Sequence, residues 1–306
     1  MGRGYMKKLF VFLTLVLCVC FVNSKQVFAA SYKEISLSDE KPVVQSGKYY
    51  LKYTSGHIYV SRSKYGNYVK TPLRNGCYCN GKQAYYMNQS GKVLYQYNLE
   101  TKKAKKIKRI ISAKKDFYAS ISAVYGSKIY LTCDREDEHR YDTYIYSISK
   151  KKVIKKIKDC NITASKGKYA VSEPYYDADD YYDEDVSGRP IILYRFTSSG
   201  LKKVKQLSDY GKVYGFVKGK LYYIKEEKLD MTCYHKYQVE LYRCSANGKD
   251  NKKIATFTSK AGRICILEVT STYCKYRKYS GSHSSGLYKY TYKTKKTKKI
   301  ADSIER

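Results

Sequence analysis

Apolar and polar positions alternate along most of this chain in short runs broken by Gly, Asn and Ser, and a period of two is the signature of half-buried strands. The clearest run is Leu241 to Ile254, LYRCSANGKDNKKI. An apolar-Tyr pair opens an alternating segment, a polar turn follows, and a Lys-rich alternating segment closes it, which predicts a β-hairpin. The same hairpin recurs as LYQYNLETKKAKKI from Leu94, IYSISKKKVIKKI from Ile145, LYRFTSSGLKKVKQL from Leu193 and LYKYTYKTKKTKKI from Leu287, with a degenerate NYVKTPL from Asn67.

The recurring Tyr positions are 68, 95, 146, 194, 242 and 288, spaced by 27, 51, 48, 48 and 46 residues. Another alternating segment precedes each copy, usually entered through Gly, as in YGSKIYL from Tyr125 and VKGKLYY from Val217. Short apolar segments such as YASISAV from Tyr118 and RICILEV from Arg263 come before those. Each unit therefore reads as four short antiparallel strands, the composition of a β-propeller blade. Six units are expected, at 40–73, 75–110, 115–158, 161–207, 211–257 and 262–302, with a seventh left open by the two short early ones. The fold class is thus all-β, a propeller of six four-stranded blades. The segment Tyr32 to Leu37 is expected to add an outer strand to the last blade and close the ring. A rival reading takes NGKQAYYMNQSGKV from Asn80 as a choline-binding-type wall repeat, but tandem copies are absent.

The amino terminus stands apart. Lys7 and Lys8 precede a 14-residue apolar run, Leu9 to Val22, and Val27-Phe28-Ala29 supplies a cleavage site, so residues 1–29 read as a secretory signal peptide. The run is too short for a membrane anchor. Residues 30–306 then form a single propeller domain, with no further membrane span, expected to be a secreted, extracellular or wall-associated monomer. Cleavage removes Arg3, Lys7, Lys8 and Lys25 and no acid, lowering the formal charge from +33 to +29. Tyr is the dominant large residue, at 38, and Trp is absent. Of the cysteines left after cleavage, Cys265 and Cys274 lie on consecutive expected strands and are the first disulfide pair to test. Cys77 and Cys79 share one strand face, where burial or a disulfide is favoured over zinc because no second pair or His adjoins them.

Two elements, the Gly-x-x-Tyr-Tyr entry of Gly219 to Tyr223 and the LYR…NGK..KKI hairpin, resemble the secreted propellers of TolB-like and low-density-lipoprotein-receptor-like type. Asn247-Gly248-Lys249 stands where those families usually carry Asp-Gly-Lys. The resemblance implies a binding or scaffolding module rather than a particular activity. The absence of Trp and the irregular early units depart from it.

Charge adds a polarity. The expected second loops of blades 3, 4 and 5, Asp134 to Asp142, Glu173 to Asp185 and Glu226 to Asp230, hold 15 of the 27 acids. Lysines crowd the outer hairpins instead: Lys102, Lys103, Lys105, Lys106, Lys150, Lys151, Lys152, Lys155, Lys156, Lys295, Lys296, Lys298 and Lys299 are the candidate binding residues. A net charge this high exceeds what solubility requires and attracts polyanions over a Debye length of about 8–10 Å. Lys rather than Arg suits diffuse attraction. The expected partner is an anionic cell-wall polymer or a protein; no nucleic-acid motif accompanies the charge. Asp183, Asp185 and Ser187 stand at alternate positions like the start of a calcium loop, but Tyr194 occupies the place where an EF-hand needs Glu. They are a weak calcium candidate, and no other cofactor is expected. No phosphate loop, nucleophile elbow or His-Glu zinc motif occurs, so no catalytic residue is assigned. The alternative is a carbohydrate-active or other hydrolytic enzyme with acidic loops over the channel, for which His139, His235 and His283, all in expected second loops, are the histidines able to share a face.

Overall fold

The computed structural model describes residues 32–35, 43–112, 117–135, 140–173, 190–209, 211–229, 236–259, 264–280 and 283–301. The signal segment, the calcium candidates Asp183, Asp185 and Ser187, and His139 and His235 lie outside them.

The strands follow the alternating runs. After β1 (Lys33–Ile35), blade 1 is β2 (Val43–Ser46), β3 (Tyr49–Thr54), β4 (His57–Ser61) and β5 (Val69–Lys70). Blade 2 is β6 (Cys77–Cys79), β7 (Gln83–Met87), β8 (Val93–Asn98) and β9 (Lys103–Arg109). Blade 3 is β10 (Ala119–Tyr125), β11 (Lys128–Arg135), β12 (Arg140–Ser147) and β13 (Lys152–Ile157). Blade 4 is β14 (Asn161–Lys166), β15 (Tyr169–Glu173), β16 (Ile191–Thr197) and β17 (Gly200–Ser208). Blade 5 is β18 (Lys212–Val217), β19 (Lys220–Leu229), β20 (Lys236–Ser245) and β21 (Lys252–Thr258). Blade 6 is β22 (Ile264–Val269), β23 (Tyr273–Ser280), β24 (His283–Thr291) and β25 (Lys296–Ala301). Each is an antiparallel meander in sequence order, and together they make a six-bladed β-propeller.

The repeated apolar-Tyr pair has a structural cause. In blades 2 to 6 the pairing of third and fourth strands slips at that pair, between Leu94 and Tyr95, Ile145 and Tyr146, Leu193 and Tyr194, Leu241 and Tyr242, and Leu287 and Tyr288. Such a bulge adds local twist, which a blade needs to fan outward. The Tyr itself meets an aromatic on the second strand in three blades: Tyr86 on Tyr95, Tyr223 on Tyr242 and Tyr276 on Tyr288, each with ring centroids 5.4 Å apart.

Five apolar clusters join successive blades: 1 with 2, 2 with 3, 3 with 4, 4 with 5 and 5 with 6. Blades 2 to 5 are therefore apolar on both faces. Among the described residues, blades 1 and 6 each contribute to one such cluster, and none bridges blade 6 back to blade 1.

Nor does the amino-terminal strand close that seam. The expectation that Tyr32 to Leu37 joins the last blade is corrected here, because β1 pairs with β6 of blade 2 through Lys33 with Cys79, Glu34 with Tyr78 and Ile35 with Cys77. Ile35 is buried among blade 1 and blade 2 side chains, and that apolar contact fixes the strand's place. The expected pair Cys265 and Cys274 is also ruled out by register. Cys265 faces Arg277 and Cys274 faces Val269, with Cys274 alone turned into the core between blades 5 and 6.

Candidate functional site

All thirteen candidate lysines sit on the outer hairpins of blades 2, 3 and 6 and are exposed. An outermost strand pairs on one side only, so its polar side chains reach solvent and cationic ones discourage edge-to-edge association. Lys156 differs from the others, because its ammonium turns to Asp142 at 2.9 Å. Three more of them carry a conformational cost. Lys102, Lys151 and Lys295 lie at the hairpin turns with φ of 57°, 52° and 54°, a left-handed conformation that a side chain with a Cβ disfavours. In blade 4 Gly200 takes the corresponding turn, and in blade 5 the turn holds Gly248 and the acid Asp250, the latter at φ of 53°.

Register exposes a further feature that alternation alone conceals. Arg195 stands directly opposite Lys202 in blade 4, Arg243 opposite Lys252 in blade 5, and Lys289 opposite Lys298 in blade 6. Like charges at directly opposed positions destabilise a sheet. The recurrence of that arrangement in three successive blades concentrates cations around the perimeter at the fold's expense.

Among the described residues, two of the acids expected in exposed loops are buried. Strands extend into stretches expected to be loop: β11 runs to Arg135, β12 begins at Arg140, and β19 runs to Leu229. Asp134 and Asp142, read as loop acids, lie on paired strands and are buried. The Asp142 carboxylate is fully enclosed and meets Arg135 at 3.5 Å, Arg140 at 3.6 Å and Lys156 at 2.9 Å. Asp134 accepts the Tyr118 hydroxyl at 2.9 Å. These two acids hold blade 3 together and are withdrawn from any surface patch.

Glu173 likewise works between blades, accepting the Val213 backbone N–H at 2.8 Å. Burial raises its pKa above the usual carboxylate value, opposed by that hydrogen bond and by Lys212. A raised folded-state pKa means a stabilising contribution that is complete below the unfolded value and lost as pH rises through the folded one. Glu173→Gln imitates the protonated form. The variant's stability relative to the parent is thus expected to improve as pH rises from about 4 towards neutrality, and a denaturation series across that range checks the trend. A constant difference would remove Glu173 as the source.

A cavity of about 550 Å³ opens between blades 2 and 3 at the end opposite the lysine turns. Its walls include Glu34 of β1, Arg74, Gln89, Lys92 and the rings of Tyr86 and Phe117. Desolvation by its neighbours raises the Glu34 pKa although the residue as a whole stays exposed; the Tyr78 hydroxyl, donating at 3.4 Å, opposes the shift. The cavity was not anticipated, since it depends on where β1 lands.

Four described cysteines are unreactive by burial or pairing: Cys77, Cys133, Cys244 and Cys274. The Sγ atoms of Cys77 and Cys79 lie 4.0 Å apart on one buried face, as read from the sequence, and the mutual hydrogen bond together with burial holds the Cys77 thiol well above its ordinary pKa. Burial pushes Cys133 up to about 12 and Cys244 up to about 11. Such thiols stay protonated and are poor nucleophiles and metal ligands. Among the described residues no three His, Cys, Asp or Glu side chains converge on a point that could hold a metal ion.

No known family model matches the sequence, and neither does any curated protein. Solved structures do resemble the fold. An oligogalacturonate lyase in complex with manganese aligns with a TM-score of 0.50 and 10% identity, over 89% of this chain and 77% of that one. The β-propeller domain of the Trilobed protease from Pyrococcus furiosus aligns at 0.40 and 13% identity, over 89% of this chain and 84% of that one. TolB from Acinetobacter baumannii aligns at 0.35 and 10%, over 90% and 65%. At such identities the likeness concerns the fold alone.

Proposed function

We propose that this chain is an exported, non-catalytic binding or scaffold propeller of TolB-like type, held at the cell surface by anionic envelope polymers that its cationic perimeter attracts. The observation that carries this reading is the repeated placement of cations where the fold disfavours them. Lys102, Lys151 and Lys295 occupy left-handed turns, and Arg195, Arg243 and Lys289 each face a lysine across a strand pair. Solubility could be met at less strained positions. Lysine, as a mobile point charge, suits a flexible polymer with distributed negative charge.

The triple variant Lys102→Gly, Lys151→Gly, Lys295→Gly separates stability from retention. Each replacement relieves a left-handed side chain and is expected to stabilise by up to about 1 kcal/mol. Retention on immobilised teichoic acid should meanwhile weaken, with elution at lower salt. Unchanged elution by the triple variant, or turnover of a glycan panel by the parent protein, would overturn the proposal.

A further inference from the structure

Among the described residues, blades 1 and 6 each have one face that joins no apolar cluster, and both faces carry cations set among tyrosines. On blade 6, Lys275, Lys289 and Lys298 are direct partners across β23, β24 and β25 and so form one row, with strands about 4.8 Å apart. Glu268 begins the row and binds Lys275 at 2.7 Å, leaving Lys289 and Lys298 as the row's surplus charge. On blade 1, Lys52 and Lys70 flank Tyr59 across β3, β4 and β5 in the same manner. Both lysines are exposed. In a propeller these faces are neighbours around the ring. Two positive walls repel each other, and the apolar contact that joins every other pair of blades is missing between them among the described residues.

We infer that the seam between blade 6 and blade 1 is the seat of an acidic polysaccharide strand, which neutralises both walls and completes the ring. This rests on the polyanion-binding reading above and assigns it a place. The tyrosines favour a sugar polymer over a single-stranded nucleic acid. Nucleic-acid channels stack bases on bare aromatic faces, whereas here the Tyr273 ring lies beneath Lys289 at 4.2 Å and Lys275 at 5.8 Å, and Lys52 covers Tyr68 at 5.8 Å. The rings orient ammonium groups, and those groups pair with carboxylates along the strand.

The test compares two variants of equal charge loss: the seam variant Lys52→Gln, Lys289→Gln, Lys298→Gln and the perimeter variant Lys108→Gln, Lys158→Gln, Lys249→Gln, whose three lysines are exposed and lie outside the candidate set. Affinity for alginate oligomers is measured at fixed ionic strength, with a single-stranded DNA oligomer of matched charge as comparison and a thermal melt to verify folding. The seam variant is expected to lose about tenfold in affinity and the perimeter variant much less. Alginate should also slow hydrogen exchange in β3, β4, β23 and β24. Equal losses in the two variants would remove the seam while leaving general polyanion attraction standing. Failure of the parent protein to bind any polyanion would sink the broader function, and tighter binding of DNA than alginate would overturn the choice of polymer.

Discussion

Replacing Asp142 with Ala should lower the unfolding free energy by about 3–5 kcal/mol, the range expected when one partner of a buried charge cluster is removed. The carboxylate has no exposed surface, and the side chains of its partners Arg135 and Arg140 keep only 12% and 23% of theirs. These two arginines cannot simply rehydrate once the anion is gone. The loss should therefore far exceed that of an exposed ion pair, about 0–1 kcal/mol. Asp142→Asn keeps the volume and removes only the charge, so it should lie between parent and Ala variant. Urea denaturation at neutral pH measures the effect through the midpoint. A fall below about 1 kcal/mol would mean that the arginines find water, and that blade 3 does not depend on this cluster.

Gly211→Ala should be comparably damaging for a different reason. Gly211 links blade 4 to blade 5 with φ of 148°, and a Cβ there would lie 1.9 Å from the Ile224 carbonyl oxygen. Neither atom belongs to a flexible side chain, so the backbone of β18 or β19 must shift and the core between the two blades must follow. Strain together with disturbed packing should cost roughly 3 kcal/mol or more. Gly219→Ala is the control: its φ is 76°, but nothing lies within 4 Å of the added carbon, and it should cost only about 1–2 kcal/mol. Melting temperatures of the two variants measure the contrast. Equal shifts would show that left-handed strain, rather than close approach, governs both positions.

The blades were legible because each repeats one local rule. An apolar-Tyr pair, a polar turn and a Lys-rich strand follow one another at nearly constant spacing, and the expected unit 161–207 coincides with Asn161–Ser208 in the structure. What escaped depends on contacts between distant residues. Asp142 reads as a loop acid because its neighbours in sequence are charged; Lys156 reaches it from the next strand only once register is set. The opposed pairs Arg195–Lys202 and Arg243–Lys252 are similarly invisible until pairing is known, since a one-residue slip would place them on different faces. Alternating polarity fades at the charged end of β19, which therefore resembles loop in sequence, yet the ladder with β20 continues through Leu229 opposite Lys236. The lysine perimeter needed no such information, as outer strands are exposed in any propeller.

The pairing of β1 with β6 has a topological consequence. Ile35 and Cys77 are direct partners, and the Gly76 N–H donates to the Ile35 carbonyl at 3.0 Å. The two strands form an antiparallel hairpin whose connecting turn is an entire blade. Blade 1 is thereby an excursion that leaves one sheet and returns to its immediate neighbour, contributing no strand to any other sheet. Its four strands pair only with one another, so no other ladder depends on it, and what holds it is the apolar core it shares with blade 2. Weakening that one core, where Tyr49, Leu51, Ile58 and Val60 meet Cys77, Cys79 and Ala84, would therefore cost blade 1 its place while sparing every ladder of the other five sheets.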